Sequence, residues 1–145
     1  MRMSTFELKV IAIDKTFYSG KCQQVIVNSV DGSMGIMAHH ENSVMALVEG
    51  PLRIQAEDGT WIEAVAGIGH IQVAYNRATI IVDFVEKPEE IDERRAKEAL
   101  ERAEEAMRQK QSIQEYHMSQ ANMARAMARL AAKKHYTRET LHNGK

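Results

Sequence analysis

The stretch EKPEEIDERRAKEALERAEEAMRQKQ, residues 86–111, decides how this chain is organised. It is rich in Glu, Arg, Lys and Ala, which favour helices, and it follows an alternating apolar segment that is typical of a strand. Seven of the eight glycines and six of the eight aromatic residues precede it. Pro88 can begin a helix but cannot continue a central strand. The sequence therefore predicts two parts, residues 1–86 and residues 87–145.

The first part has the alternation of short antiparallel strands. FELKVIAID (residues 6–14) alternates apolar with polar residues, and PLRIQAEDGTWIEAVAG (residues 51–67) carries an Asp58-Gly59 hairpin turn between two alternating runs. HIQVAYNRATIIVDFV (residues 70–85) is expected to fold back at Asn76-Arg77. Because one small open sheet would leave an apolar face uncovered, two packed sheets are expected, that is, an all-β sandwich.

The second part predicts two helices that form a hairpin. SIQE, at Ser112–Glu115, has the form of a capping box and marks the start of the second helix. The first helix carries a narrow apolar stripe: Ala96, Leu100, Ala103 and Met107. The second is expected to use one edge of small residues: Ala121, Ala124, Ala128 and Ala131, beside Met123, Met127 and Leu130. Such stripes bury little area, so the two helices should be weakly held together.

Composition excludes several classes of partner. The net charge is −1 and the pI about 6.6, which argues against binding nucleic acid or anionic lipid through bulk charge. With Cys22 as the one cysteine, no intramolecular disulfide can form, and a reducing compartment is expected. Charges interrupt each apolar run, so we expect a protein that does not enter the bilayer.

Candidate sites for chemistry are few. His39, His40 and Glu41, with His70, could form a metal site, but neighbouring residues of a strand point to opposite faces, and an exposed loop is the alternative. Cys22 lacks a base partner at a fixed spacing and is expected to be a small, half-buried residue. No phosphate loop or catalytic triad pattern is present in the sequence. We therefore expect neither a catalytic residue nor a metal ligand.

Two other features allow two interpretations each. In VDGSMGIMAHHEN (residues 30–42), a tight turn would expose Met34 and Ile36 as a contact patch, or the loop would cover one end of the sandwich. The second feature is a set of arginines at helical spacing: Arg95, Arg102, Arg125 and Arg129. They repel one another unless an anion lies between them, either the nine carboxylates of residues 86–105 or a phosphate ligand.

Three motifs, in this order, resemble the epsilon subunit of the bacterial F-type ATP synthase. GSMGIMAHHEN (residues 32–42) is similar to that family's G-x-x-G-I-x-x-x-H-x-P segment. GIGHIQV (residues 67–73) resembles its glycine-rich strand entry, and EIDERRA (residues 90–96) carries its I-D-x-x-R-A signature. Asn42 departs from the family's usual proline, and Ser33 departs from a common acidic residue.

The resemblance implies a non-catalytic component of a rotor that couples proton flow to ATP synthesis. The sandwich would bind the central gamma subunit and the ring of membrane rotor subunits, with residues 32–40 near the ring. The hairpin would either fold back or extend into the catalytic alpha/beta head, where it blocks ATP hydrolysis. Such a protein would lie at the cytoplasmic face of the bacterial membrane as a peripheral subunit, without binding nucleic acid.

The resemblance also implies a regulatory ligand, because some members of the family bind ATP without hydrolysing it. No permanently bound cofactor is expected. The matching positions are Glu86, Ile91, Asp92, Arg95, Ala96, Arg102, Arg125 and Arg129. The arginines would hold phosphates, and Ile91 and Ala96 would offer an apolar edge to adenine. Met118 replaces one further basic position of the ATP-binding relatives.

Two other functions remain as alternatives. A free-standing adaptor protein would differ from a rotor component only in its partner. A cupin-like metal enzyme would use His39, His40, Glu41 and His70, but it would leave the helical hairpin without a role.

Overall fold

The computed structural model of the chain describes residues 4–109 and 112–143. The chain divides into two compact units, Met1–Glu86 and Lys87–Lys145. The first unit is a β-sandwich and the second is a two-helix hairpin, so the predicted fold class is confirmed.

Within residues 4–86, nine strands form the first unit: β1 (Phe6–Ile11), β2 (Thr16–Ser29), β3 (Gly32–Met37), β4 (Ser43–Leu47), β5 (Gly50–Ala56), β6 (Trp61–Ala66), β7 (Gly69–Ala74), β8 (Arg77–Val82) and β9 (Val85–Glu86). The strand order is β4-β7-β8-β1-β2-β5-β6-β9, and β3 pairs with β2. β1 and β8 run parallel, and the other described pairs are antiparallel. The 14-residue β2 pairs with β1, β3 and β5, so it joins the two halves of the sandwich.

The core contains the inward-facing residues, which alternate with outward-facing ones along the strands. The largest side chains with almost no exposure are Leu8, Ile36, Leu52, Ile54, Ile71 and Ile80. Burial of this apolar surface is the main favourable term in the stability of the unit. In β1 the period of two that predicted the strand is also the spacing of its buried residues, Phe6, Leu8 and Val10.

Both predicted hairpin turns occur, one of them displaced by a residue. Asp58 and Gly59 connect β5 to β6, with Gly59 in the left-handed region at φ 92° and the Asp58 Oδ1 accepting from the Thr60 N–H at 2.9 Å. The second turn is formed by Tyr75 and Asn76, with φ values of 52° and 59°, rather than by Asn76 and Arg77. Positive φ at both central residues matches the right-handed twist of a two-residue hairpin.

Of the two interpretations of residues 30–42, the exposed contact patch of Met34 and Ile36 is wrong. The tight turn lies at Val30–Asp31, and the next residues form β3, which pairs with β2 through Val25 and Ile36 among others. Ile36 is fully buried, and Met34 packs against the core. The period of two places Met34 and Ile36 on one face of the strand and Met37 on the other, and pairing with β2 turns the first face toward the core.

The second unit begins with a 3₁₀ turn (Pro88–Glu90), followed by α1 (Glu93–Arg108) and α2 (Ile113–Asn143). Asp92 caps α1, because its Oδ1 accepts from the Arg95 N–H at 3.2 Å. The capping box is confirmed: the Ser112 hydroxyl accepts from the Glu115 N–H at 3.1 Å, and the Glu115 carboxylate accepts from the Ser112 N–H at 3.3 Å.

The helices pack through small residues, but on a different edge of α2 from the one expected. Ala96 and Ala103 of α1 are buried, as the stripe predicted. On α2 the buried positions are Ser119 and Ala126, whereas Ala131 of the expected edge is exposed. Alanines surround α2 on several sides, so spacing alone did not indicate which edge faces α1.

Candidate functional site

Three of the arginines selected from the sequence line one groove of the hairpin. Arg102 comes from α1, and Arg125 and Arg129 come from α2. The groove has a volume of about 370 Å³. Its other lining residues are Ala99, Ala103, Ala106, Ser119, Asn122 and Ala126. The groove is thus lined by three arginines together with small and polar side chains.

Helical spacing explains why these side chains meet. Arg125 and Arg129 are one turn apart, so they lie on the same edge of α2. Ala103 and Ala126 are buried, and their short side chains let the two backbones approach closely. Larger residues at these positions would fill the space that the groove now occupies.

Some of the carboxylates that could have paired with the groove arginines pair with other arginines of α1. Glu98 pairs with Arg94 at 3.6 Å, and Glu105 pairs with Arg108 at 3.1 Å. These pairs lie within α1 and are largely exposed, so each contributes little to stability. Both glutamates therefore have an arginine partner within their own helix.

Asn122 is a groove residue that the sequence did not single out. Its Oδ1 accepts a hydrogen bond from Nη2 of Arg125, one turn further along α2. This contact places the Arg125 guanidinium group beside another residue that lines the groove. The available signal was the spacing of Ser119, Asn122, Ala126 and Arg129, which places these four residues on one helix edge.

The other residues predicted for the ATP site are not among those that line the groove. The Arg95 side chain is 85% exposed, lies 3.9 Å from the Asp92 carboxylate and is not among the residues that line the groove. Ile91 and Ala96 are buried, so neither offers an accessible apolar edge to an adenine ring in this conformation. Glu86 belongs to β9 of the first unit.

The histidines of the metal hypothesis do not converge. His39 has a left-handed φ of 64°, and Nδ1 of His40 donates to the Glu41 carbonyl oxygen at 2.8 Å. Among the described residues, no three ligand atoms from His39, His40, Glu41 and His70 lie within 4.8 Å of one another. The arrangement therefore does not favour the cupin-like enzyme.

Cys22 is more buried than the sequence suggested. It lies in the core with no exposed surface, and burial raises the pKa of its thiol to about 12. A thiol that stays protonated and inaccessible is a poor nucleophile. Its environment is that of a small apolar core residue.

Two asparagines join loops at one end of the sandwich, and sequence reasoning missed this connection. The Asn42 Oδ1 accepts from the Tyr75 N–H at 3.1 Å, and the Asn76 Oδ1 accepts from the His39 N–H at 2.8 Å. The Asn76 amide also donates to the Thr5 carbonyl at 3.0 Å. A proline at position 42 would restrict this loop through its ring. Asn42 restricts it instead through a hydrogen bond.

Each unit matches a family model over most of its length. Residues 5–88 match the ATP synthase, Delta/Epsilon chain, beta-sandwich domain, and residues 89–134 match the ATP synthase, Delta/Epsilon chain, long alpha-helix domain. The ATP synthase epsilon chain of Ruminiclostridium cellulolyticum is 48% identical over 130 residues, which cover 90% of this chain and 96% of that protein. The epsilon chain of Caldicellulosiruptor bescii is 41% identical over 128 residues, covering 88% and 93%.

Solved structures share the fold at low sequence identity. A chain of the Euglena gracilis mitochondrial ATP synthase superposes with a TM-score of 0.75 at 22% identity, covering 91% of this chain and 83% of that one. A chain of the Tetrahymena thermophila mitochondrial ATP synthase central stalk and c-ring gives a TM-score of 0.62 at 13% identity, covering 92% and 99%.

In the part of the chain that the structure describes, neither helix is long and apolar enough to cross a membrane.

Proposed function

Since the chain belongs to the family of ATP synthase epsilon chains, we propose that its helical hairpin regulates a rotary enzyme whose chemistry is done by other subunits. The sandwich is the part that attaches to the central stalk. The hairpin is the part that changes position. The observation that carries this proposal is the basic groove between two helices that pack through small residues.

The proposed attachment uses the gamma subunit and the membrane rotor ring, on the cytoplasmic face of a bacterial membrane whose proton flow drives synthesis. The Tetrahymena relative comes from an assembly described as central stalk and c-ring, which supports this placement. Because Ile36 is buried, a contact between residues 32–40 and the membrane rotor ring would be made by outward-facing side chains such as Ser33 and Met37. Val30, at the preceding turn, is 77% exposed and extends the same surface.

Inhibition of ATP hydrolysis is proposed to arise when α2 leaves α1 and enters the alpha/beta head. The small buried side chains Ala103, Ser119 and Ala126 give this interface little apolar area, so separation costs little. α2 carries more basic than acidic residues: Arg125, Arg129, Lys133, Lys134 and Arg138 against Glu115 and Glu139. Such a helix would bind acidic surfaces of the head, and this binding would weaken as salt concentration rises.

ATP is the proposed ligand of the folded hairpin. Arg102, Arg125 and Arg129 can donate several hydrogen bonds to phosphate oxygens, which suits guanidinium better than ammonium groups. The groove is formed by both helices, so a ligand there binds only the folded state. At a hundredfold excess over Kd it would stabilise that state by about 2.7 kcal/mol. Plentiful ATP would thus withdraw the inhibitory helix, and scarce ATP would release it.

Deletion of residues 88–145 tests the regulatory role. The truncated chain should show a cooperative unfolding transition by circular dichroism and should still join the synthase, since the sandwich has its own core. ATP hydrolysis by the assembled enzyme should rise. Unchanged hydrolysis would contradict an inhibitory hairpin, and an unfolded fragment would contradict an independent sandwich.

Calorimetric titration tests the ligand. Binding of ATP to the full chain should be lost in Arg125→Ala and retained in Arg138→Ala, since Arg138 is an exposed arginine of α2 that does not line the groove. Absence of heat and of any rise in melting temperature at millimolar ATP would contradict the proposal. Equal binding by the two variants would also contradict it.

A further inference from the structure

The edge of α2 that lines the groove continues to a lysine that contacts the start of the hairpin. Asn122, Ala126, Arg129 and Lys133 follow one another at spacings of four, three and four, so they share one edge of the helix. Lys133 is therefore directed toward the chain segment that precedes α1. Its Nζ donates to the Pro88 carbonyl oxygen at 3.4 Å and lies 5.5 Å from the centre of the Tyr136 ring.

The acceptor is a well-defined group. Pro88 is buried at the beginning of the 3₁₀ turn, and its carbonyl oxygen also accepts from the Ile91 N–H at 3.2 Å. A carbonyl oxygen has two lone pairs, so the lysine and the turn can use it together. The contact therefore joins the 3₁₀ turn to a helix that begins only after α1 has ended.

This contact differs in kind from the contacts that cap the two helices. The Asp92 cap and the Ser112–Glu115 capping box join residues three apart, so they persist whether the helices lie together or apart. Lys133 and Pro88 are 45 residues apart. Their hydrogen bond exists only while α2 lies along α1, and it must break when α2 moves away.

We propose that the Lys133–Pro88 hydrogen bond stabilises the folded hairpin specifically and sets how often α2 is released. The inference rests on the proposed two positions of the hairpin. The donor is charged, which strengthens the bond, but the distance is long and the side chain is half-exposed. Removing it should lower the ratio of folded to extended hairpin about threefold.

Distances between two spin labels on the full chain measure this ratio. One label is placed on α1 at Lys97 and one on α2 at Ala131, both of which are exposed. Cys22 is buried, so the labels attach to the introduced thiols. Lys133→Met removes the donor but keeps a long side chain with good helix propensity, and Lys133→Arg restores a charged donor. Lys134→Met is the matched control, because Lys134 is an exposed neighbour on a different side of α2.

We expect the short-distance population to decrease about threefold relative to the long-distance one in Lys133→Met. It should recover in Lys133→Arg and stay unchanged in Lys134→Met. An unchanged distribution in Lys133→Met, or an equal change in Lys134→Met, would overturn the role of the contact and leave the two-position hairpin intact. A single distance in all variants and conditions would overturn both.

Discussion

Replacement of Ile36 by alanine separates the two interpretations of the glycine-rich segment. As part of an exposed patch, Ile36 could be truncated with little loss of stability. In the structure it has no exposed surface and lies opposite Val25 of β2, in the centre of the sandwich. We therefore expect Ile36→Ala to destabilise the sandwich strongly.

The size of the effect follows from the burial. The substitution removes three carbon atoms, each worth about 0.8 kcal/mol on transfer from water, or about 2.4 kcal/mol together. A cavity in a core that relaxes only partly adds to this, so the total should be about 3–4 kcal/mol. The neighbouring Met37 is 52% exposed, and Met37→Ala should cost less than about 1 kcal/mol.

Urea unfolding followed by the fluorescence of Trp61, the one tryptophan of the chain, measures both variants. Trp61 lies in β6, within the same unit as Ile36. With an m value of about 1.5 kcal/mol per molar urea, Ile36→Ala should lower the midpoint by about 2–2.7 M at constant m. If Ile36→Ala lost no more stability than Met37→Ala, the assignment of Ile36 to the core would be refuted.

Three further predictions concern the sandwich. In Gly69→Ala the new Cβ would lie 1.8 Å from the Ile81 carbonyl oxygen, so the variant should lose about 2–3 kcal/mol in the same urea assay. Cys22 should react with iodoacetamide at pH 8 far more slowly in the native protein than in urea, because burial raises its pKa to about 12. Hydrogen bonds from Thr60 lower the pKa of Asp58 below its ordinary 3.8, so its stabilising contribution is present above that value and lost as the pH falls through the folded-state pKa.

Each of these has a control or a contradicting outcome. Gly35→Ala should be nearly neutral, since its Cβ would meet only the flexible end of Gln24 at 3.0 Å. Equal alkylation rates in native and unfolded protein would show that Cys22 is accessible. The advantage of the wild type over Asp58→Asn in urea unfolding should shrink on acidification below pH 3.8, and a gap that stayed constant would contradict the turn contribution.

The turns, helix starts and helix or strand type of this protein could largely be predicted from short segments of sequence. Asp58-Gly59 produced its hairpin because glycine reaches positive φ at low cost. Ser112 and Glu115 produced the start of α2 because each carries an oxygen that reaches the other's backbone N–H. The change of composition at residue 86 separated strands from helices, because the helix and strand preferences of amino acids act within a few residues.

The arginine groove was predicted only in part. Arg102, Arg125 and Arg129 were selected by helical spacing and by family resemblance, and all three line the groove. Asn122 was missed because it carries no charge and belongs to no motif, although its side chain accepts a hydrogen bond from Arg125. That ATP occupies the groove stays a prediction.

What only the tertiary structure decided is which faces meet. Alternation fits the burial of either set of residues along β3, and it was pairing with β2 that placed Ile36 in the core. Alanines around α2 left its inner edge open until packing selected Ser119 and Ala126. The Lys133–Pro88 contact joins positions 45 residues apart. A local pattern fixes φ, ψ and the period of a segment, but the partner of each face depends on the packing of distant segments, which a short stretch of sequence does not encode.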